Sequence, residues 1–405
     1  MIVGAGTGGL CLAQGLKDRG IATEVFERDK SPRDRLQGYR LSINADGSHA
    51  LKSCLPDSLY AEFVARSAAP SRGLTFLDQH LRRLLAIDLQ ARAAPERELP
   101  VSRTVLRELL LKGLGEIVQL DKKFTHYEDV PGGKVVAHFE DGATAVGDLL
   151  IGADGASSRV RAQLLPHAKR VETGLVIVSG KLPLTDAVRQ MAPKPFFRGP
   201  TLILGPKGCF LFGNAVEYGV TTGLSEAREE EYVMWGFSAR RPAYGLGADP
   251  QTAGGERLRA AVAALMKDWH PELKRLIETT DSSQVDGFPA KTSVPVPPWS
   301  TRNVTLLGDA LHNMTPFRGI GANTALRDAA ALCRTLVAVN RGQQALLPAL
   351  SVYEREMIEY GFAAVRASLK DMHRLHAESL LSRTLTKTFL RTLDLIPPLR
   401  PLVRA

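Results

Sequence analysis

Paired cysteine motifs are missing from this 405-residue sequence. Its four cysteines, Cys11, Cys54, Cys209 and Cys333, lie far apart, and no CxxC occurs. Such spacing suggests neither a zinc site nor a redox dithiol, and it fits a reducing, cytoplasmic compartment. No apolar run approaches the ~20 residues that a membrane span needs. The chain enters a glycine-rich turn at once, so no signal peptide is expected and the protein reads as intracellular. Lys and Arg never run beyond two in a row, and no nucleic-acid motif is present. The net charge of +9 is therefore read as attraction for nucleotide phosphates, anionic substrates or membrane surfaces, not for nucleic acid. Internal repeats and long low-complexity segments are absent. What remains is ordinary globular composition, 44% hydrophobic and 23% charged, long enough for a large core in two or three domains.

The first residues carry the first positive signal. Met1-Ile2-Val3 is apolar and β-prone, Gly4-Ala5-Gly6-Thr7-Gly8-Gly9 is a glycine turn, and Leu10 to Leu16 reads as a helix. A second strand, Thr23 to Glu27, ends in an acid. Gly4, Gly6 and Gly9 match GxGxxG, and Glu27 follows at about the ~20-residue spacing of a dinucleotide fingerprint. In that motif Gly4 allows the tight turn, Gly6 lets the backbone approach a pyrophosphate, and Gly9 permits close helix–strand packing. The helix start offers free N–H groups to the phosphates, and Glu27 can accept from a ribose. Only three residues precede Gly4, fewer than a usual strand, so a short upstream segment is expected.

The fingerprint alone does not separate FAD from NAD. Two later segments do. Asp148-Leu149-Leu150-Ile151-Gly152-Ala153-Asp154-Gly155-Ala156-Ser157-Ser158-Arg159 runs from an apolar strand into Asp-Gly. Val304-Thr305-Leu306-Leu307-Gly308-Asp309 ends a strand in Gly-Asp, and Pro316-Phe317-Arg318-Gly319-Ile320-Gly321-Ala322-Asn323 leads into an Ala/Leu-rich helix. With the first motif these segments resemble the class A, para-hydroxybenzoate hydroxylase-like flavoprotein monooxygenases, in family order and spacing over roughly residues 1–365.

The resemblance implies roles. Gly4, Gly6, Gly9 and Glu27 hold the ADP half of FAD. Arg103 matches an arginine on a helix beside the flavin. Asp154 and Gly155 match a motif that contacts FAD and NADPH. Asp309 matches the acid on the ribityl chain. Gly319, Gly321, Ala322 and Asn323 match the helix start below the isoalloxazine ring, and Pro316 shapes the loop beside it. Arg40 matches, more loosely, a mobile segment near the flavin. Catalytic roles then fall to Pro316, Gly319 and Arg40, which position rather than attack. Taken singly, Asp154-Gly155 also reads as a turn, Asp309 as a helix N-cap and Arg103 as a surface helix residue. His312 reads as structural, and no metal is expected.

The implied activity uses NADPH or NADH to reduce FAD, forms a C4a-hydroperoxide with dioxygen, and passes one oxygen to a small apolar or aromatic substrate by hydroxylation or epoxidation. Ile320 and Arg327 depart from the glutamine and glutamate frequent in simple aromatic hydroxylases, which favours natural-product substrates of secondary metabolism. A second GxGxxG, the Cys-x4-Cys of disulfide reductases, and the halogenase and Baeyer–Villiger signatures are all absent. Nor is a thioredoxin-like C-terminal domain expected. A reductase or oxidase on the same fold, and a non-catalytic nucleotide-binding protein, stay open as alternatives.

The fold class is α/β: a discontinuous Rossmann-type FAD-binding domain at 1–70, 98–170 and 285–340, with an inserted substrate-binding β-sheet domain at 71–97 and 171–284 and a helical region at 341–405. The inserted sheet is expected to roof the flavin. Phe196, Phe197, Phe210, Phe212, Trp235 and Phe237 read as core first and pocket lining second. Near the end, Leu381, Leu385, Phe389 and Leu393 recur at i+4 opposite Arg383, Lys387 and Arg391, and Pro397-Pro398 stops the helix. Two readings stay open there: the apolar face packs on the body with the basic face solvated, or it makes a peripheral membrane contact or helps load a greasy substrate.

Overall fold

A computed structural model of the chain describes residues 1–31, 40–89, 98–218, 230–247 and 249–396. The fold is mixed α/β and divides into two compact units. The first unit holds residues 1–67, 98–171 and 291–369, and the second holds 68–97, 172–290 and 370–405. The stretch 341–405, expected as a region of its own, is therefore shared out at position 369/370 within the helix Leu346–Leu375.

In the first unit a five-stranded parallel sheet runs in the order Val304–Leu306, Leu150–Gly152, Ile2–Val3, Val25–Phe26, Val118–Gln119. Its strands are short and apolar at nearly every position because both faces are covered. The helix Thr7–Asp18 packs against Gly321–Asn340, Ala45–Cys54 and Arg103–Leu111, and is buried continuously from Gly8 to Leu16. Small residues permit this crossing. A Cβ on Gly15 would lie 2.8 Å from Cys333 Sγ and 3.2 Å from Cys54 Sγ.

Three of the four cysteines that sequence separates, Cys11, Cys54 and Cys333, are thus brought together. The Cys54 thiol bonds with Cys11 and Cys333 in the core of this unit, and all four cysteines are free. Hydrogen bonding among the thiols, then burial, holds Cys54 and Cys333 far above the ordinary thiol range, so they stay protonated as packing groups. Two further sheets complete the unit: Arg40–Ile43 pairs with Leu99–Ser102, and Thr144–Gly147, Lys134–Phe139 and Phe124–Val130 form an antiparallel meander.

The second unit is built on a seven-stranded sheet in the order Val285–Ser293, Arg170–Pro183, Tyr232–Arg240, Phe210–Val216, Thr201–Leu204, Gly73–Asp78, Arg83–Asp88. One face packs Val176, Val178, Leu211, Val233, Trp235 and Phe237 against residues of the helices Gly255–Leu265 and Pro271–Thr279. Trp235 Nε1–H donates to Thr280 Oγ1 at 2.9 Å, which satisfies its one polar group in that core.

The helix Leu380–Leu395 lies against the strand pair Gly73–Asp78 and Arg83–Asp88, but turned the other way from the packing reading. Leu381 is 71% exposed, Leu385 61% and Phe389 51%, and only Leu393 of that face is buried. The basic face points inward instead. Lys387 Nζ donates to Gln79 Oε1 at 3.1 Å and Arg391 lies 3.9 Å from Asp78. Asp394 pairs with Arg83 at 3.0 Å and accepts from the Ala86 N–H at 3.1 Å. Acidic and amide groups on the strands select the cationic side, which hydrophobic periodicity does not register. The Pro397-Pro398 stop lies outside the described residues. Among the described residues no helix is long and apolar enough to cross a membrane.

Candidate cofactor and active site

The glycine turn behaves as its spacing requires. Gly4 has φ +107°, and a Cβ there would lie 2.4 Å from the Ala153 carbonyl oxygen. On Gly9 a Cβ would lie 2.2 Å from the Gly4 carbonyl oxygen. Gly6 is different: nothing stands within 4 Å of where its Cβ would be. Two of the three glycines make the turn and the third leaves room above it. The helix Thr7–Asp18 begins at this open side, with Gly6 as N-cap and no side-chain cap. Its first N–H groups are left for a ligand.

Glu27 is buried at the end of the second strand. Its Oε2 accepts from Ala5 N–H at 2.6 Å and its Oε1 from Asp29 N–H at 3.0 Å, so it also braces the turn. Nearby, Arg107 reaches Asp29 at 3.3 Å and leaves Nε and Nη2 buried with no partner among the described residues. Buried orphan donors are costly in a finished structure, and these fit an oxygen-rich ligand. Arg107 was not singled out from sequence, since a helix arginine carries no local signal.

Asp154 accepts from Arg159 N–H at 2.7 Å through Oδ2, which is the turn-and-cap role open to it. Its Oδ1 is enclosed and has no partner among the described residues. Gly155 follows at φ +76°. Arg161 ties this segment to the other motif: its Nη1 donates to Ala156 O at 3.2 Å and to Ala310 O at 2.8 Å.

At that other motif the strand Val304–Leu306 leads to Gly308, the N-cap of the helix Asp309–His312. Asp309 is not the cap; its side chain is exposed. Arg103 starts the helix Arg103–Leu111 and is exposed too. Desolvation by surrounding protein nevertheless lowers its pKa, and the Asp309 charge works against that shift. Arg40 joins the same neighbourhood, because the register pairs it with Ser102, next to Arg103. Its Nη2 donates to Ser42 Oγ at 3.0 Å.

The helix Gly321–Asn340 begins without a side-chain cap, after Gly319 at φ +64° and Ile320. Around Gly319 nothing lies within 4 Å of a built Cβ, and around Gly321 only Met314 Cγ at 3.8 Å. Asn323, assigned to the cofactor from sequence, spends its side chain on the scaffold. Its Oδ1 accepts from Asn44 N–H at 2.9 Å and its Nδ2–H donates to Ser42 O at 2.8 Å. That leaves its backbone N–H, with those of Gly321 and Ala322, at the open positive end of the helix. Pro316 opens a short 3-10 turn to Arg318. The preceding Thr315 is clamped to Ser368: Ser368 Oγ–H donates to Thr315 O at 2.5 Å, and the two hydroxyls lie 2.8 Å apart.

Asp328 is the hub behind this loop, and sequence reading missed it. Fully buried, it accepts from Gly308 N–H at 2.6 Å, from His312 Nε2 at 2.7 Å and from Tyr360 Oη–H at 2.6 Å. Burial pushes the His312 pKa down, but the Asp328 charge and hydrogen bond outweigh it and the net shift is upward. His312 is buried and bonded to Asp328, which fits a structural role. Arg327, the residue that departs from the aromatic-hydroxylase pattern, stacks 3.8 Å over the Tyr360 ring.

In the second unit Phe196, Trp235 and Phe237 are core, Phe210 is buried, and Phe197 and Phe212 are half-buried. Gly236 sits between Trp235 and Phe237 and so faces the other side of the sheet. It pairs with Phe212 on one strand and Ser179 on the next, and a Cβ there would meet nothing within 4 Å.

The fold and the open turns define a flavin-binding protein of Rossmann type, and residues 1–368 match the FAD binding domain family. The FAD-dependent monooxygenase dbaB of Emericella nidulans is 30% identical over 84% of this chain and 86% of its own length. The dual O-methyltransferase/FAD-dependent monooxygenase elcB of Phaeosphaeria nodorum is 34% identical over 82% of this chain and 39% of its own. HpxO of Klebsiella pneumoniae, crystallised with FAD and uric acid, matches with TM-score 0.76 and 26% identity over 96% of this chain and 92% of that one. The chain belongs to the FAD-dependent monooxygenase family with this FAD binding domain. It spans about two fifths of the bifunctional relatives, 39% to 44% of their length.

Proposed function

We propose that the chain is an FAD-dependent monooxygenase that draws electrons from NADPH or NADH and places one atom of dioxygen into a small apolar or aromatic natural-product substrate, by hydroxylation or epoxidation. The observation that carries this reading is the presence, in one unit, of an open glycine turn, the mutually acting charges of Arg103 and Asp309, and the uncapped helix start at Gly321. FAD, when bound, supplies the redox chemistry that no side chain can.

The chain's own residues bind and orient. Glu27 has lone pairs to spare for ribose hydroxyls beyond its two backbone bonds. The start of the helix Thr7–Asp18 offers N–H groups to a pyrophosphate above Gly6. Asp309 offers an open carboxylate to a polyol chain. The N–H groups of Gly321, Ala322 and Asn323, with the positive helix end, favour an anionic ring edge. Pro316 and Gly319 hold the intervening loop rigid, Arg40 and Arg103 supply positive charge, and Asp154 and Gly155 carry the NADPH-side contacts. On the second unit, the open surface at Gly236 beside Phe212 and Ser179 suits a flat apolar substrate with one polar group. The substrates printed in the relatives' names are small molecules, which supports that size class.

The test is a panel of aromatic polyketides, quinolines and indoles offered to FAD-loaded protein while NADPH and NADH oxidation is followed and product mass is read. Accelerated oxidation with a product one oxygen heavier is the expected result. Reduction or dehydrogenation with no added oxygen in any product would make it a reductase or oxidase instead.

A further inference from the structure

The meander of the first unit carries a cluster that the flavin site does not use. Along Phe124–Val130 and Lys134–Phe139, burial alternates: Phe124, Tyr127, Val135, Ala137 and Phe139 face the core. The opposite, solvent face carries His126, Glu128 and His138. A register shift after Phe124 sets His126 directly opposite His138. The two imidazoles stack with centroids 4.3 Å apart and planes 4° from parallel. Glu128 Oε1 lies 3.6 Å from His126 Nε2 and 3.7 Å from His138 Nε2, and the three ligand atoms all fall within 4.8 Å of one another.

We propose that His126, Glu128 and His138 form a binding site for one divalent transition-metal ion of the zinc class. Zinc–nitrogen and zinc–oxygen bonds of ~2.0–2.1 Å at tetrahedral angles put neighbouring ligand atoms roughly 3.4 Å apart, close to the separations from Glu128 to each ring, and binding would turn one imidazole out of the parallel stack so that both in-plane Nε2 lone pairs point at the ion. The hydrogen bonding also sets the tautomer. The Thr125 hydroxyl donates to His138 O at 2.9 Å, so at 3.1 Å from His126 Nδ1 it can only accept. His126 therefore carries its proton on Nδ1 and keeps the Nε2 lone pair for a metal, the arrangement by which outer-shell partners orient imidazole ligands. His138 Nε2 is closed to solvent and has no hydrogen-bond partner among the described residues. Three protein donors leave a fourth position for water or a donor from another molecule. Imidazole and carboxylate donors without a thiolate select zinc, cobalt or nickel over magnesium or calcium. Bound metal would clamp the two strands across their register shift.

The experiment uses the full, FAD-loaded chain without an affinity tag. Zinc chloride is titrated by calorimetry and cobalt chloride by visible absorption. One equivalent of saturable binding and the d–d bands of nitrogen- and oxygen-bound cobalt are expected. His126→Ala, His138→Ala and Glu128→Gln should each weaken zinc at least ~10-fold, and Thr125→Val should weaken it less, with flavin content unchanged. None of the four side chains is buried in the core, and circular dichroism checks the folding of each variant. Absence of saturable binding in the wild type, or binding that survives the double histidine variant, overturns the site. Should a variant misfold, the wild-type thermal midpoint decides: zinc raises it over EDTA if the clamp exists, and leaves it unmoved if not.

Discussion

At the scale of single residues the cofactor reading turns on side chains that the protein leaves open. Asp309 is exposed at the start of its short helix, and its charge is near enough to Arg103 to oppose the desolvation that lowers the Arg103 pKa. A charge-assisted bond from a polyol hydroxyl is worth ~1.5–3 kcal/mol. Asp309→Ala should therefore weaken FAD by roughly ten- to a hundredfold and leave the fold intact, as fluorescence titration of the apoprotein will read. Unchanged affinity would remove Asp309 from the site. His376 offers a second test. Burial lowers its pKa from 6.5 to about 4, while Nε2 meets Ser238 Oγ at 2.6 Å and Nδ1 meets Met372 O at 2.8 Å. Between those two values the unfolded chain binds a proton that the folded chain refuses, so stability is full above pH 6.5 and falls as the pH drops. Wild type should lose about 2 kcal/mol between pH 6.5 and 5 that His376→Gln keeps, in parallel urea titrations. Equal losses would show that His376 is protonated in the fold.

Single residues also divide what sequence discloses from what it hides. Gly4, Gly6, Gly9 and Glu27 were legible because a tight turn restricts which residues can stand at fixed offsets. Asp328 and Arg107 were not, since each works through partners distant in sequence, such as Tyr360 and Asp29. The motif places Asn323 at the helix start but does not disclose that its side chain holds Asn44 and Ser42, because a motif fixes position and not the direction of an amide.

At the scale of elements the decisive feature is the start of the helix Gly321–Asn340. A side chain at Gly321 meets only Met314 Cγ at 3.8 Å inside the protein, so Gly321→Val should fold with a thermal midpoint close to wild type. Its added bulk points into the space assigned to the flavin ring. Flavin affinity or turnover should fall sharply, and normal turnover in that variant would refute the assignment of this helix start. The helix Leu380–Leu395 teaches the opposite lesson. Its period was readable, but its orientation was set by Asp78, Gln79 and Arg83 on strands far away in sequence. Since Leu385 and Phe389 are exposed, Leu385→Asp with Phe389→Ser should change stability by less than about 0.5 kcal/mol in urea titration. Lys387→Leu should cost more than the pair, having a partner to lose. A large loss from the exposed pair would restore the reading in which the apolar face is packed.

At the scale of the whole molecule the proposed function divides the labour between the two units. The first holds every residue assigned to FAD, and the second carries Gly236, where an added Cβ would meet nothing within 4 Å. The chain's order of motifs made the glycine turn and the Rossmann-type fold of the first unit legible. The second has no comparable punctuation; its strands follow from alternation alone, and its substrate cannot be read from apolar residues that mostly serve the core. The central claim is oxygen insertion, and isotopic oxygen tests it most directly. FAD-loaded protein is given NADPH and the most stimulating substrate of the panel under ¹⁸O₂ in ordinary water, and the product is weighed by mass spectrometry. The account predicts a product carrying one ¹⁸O atom; a product whose new oxygen comes from water, or one oxidised without any new oxygen, would contradict it.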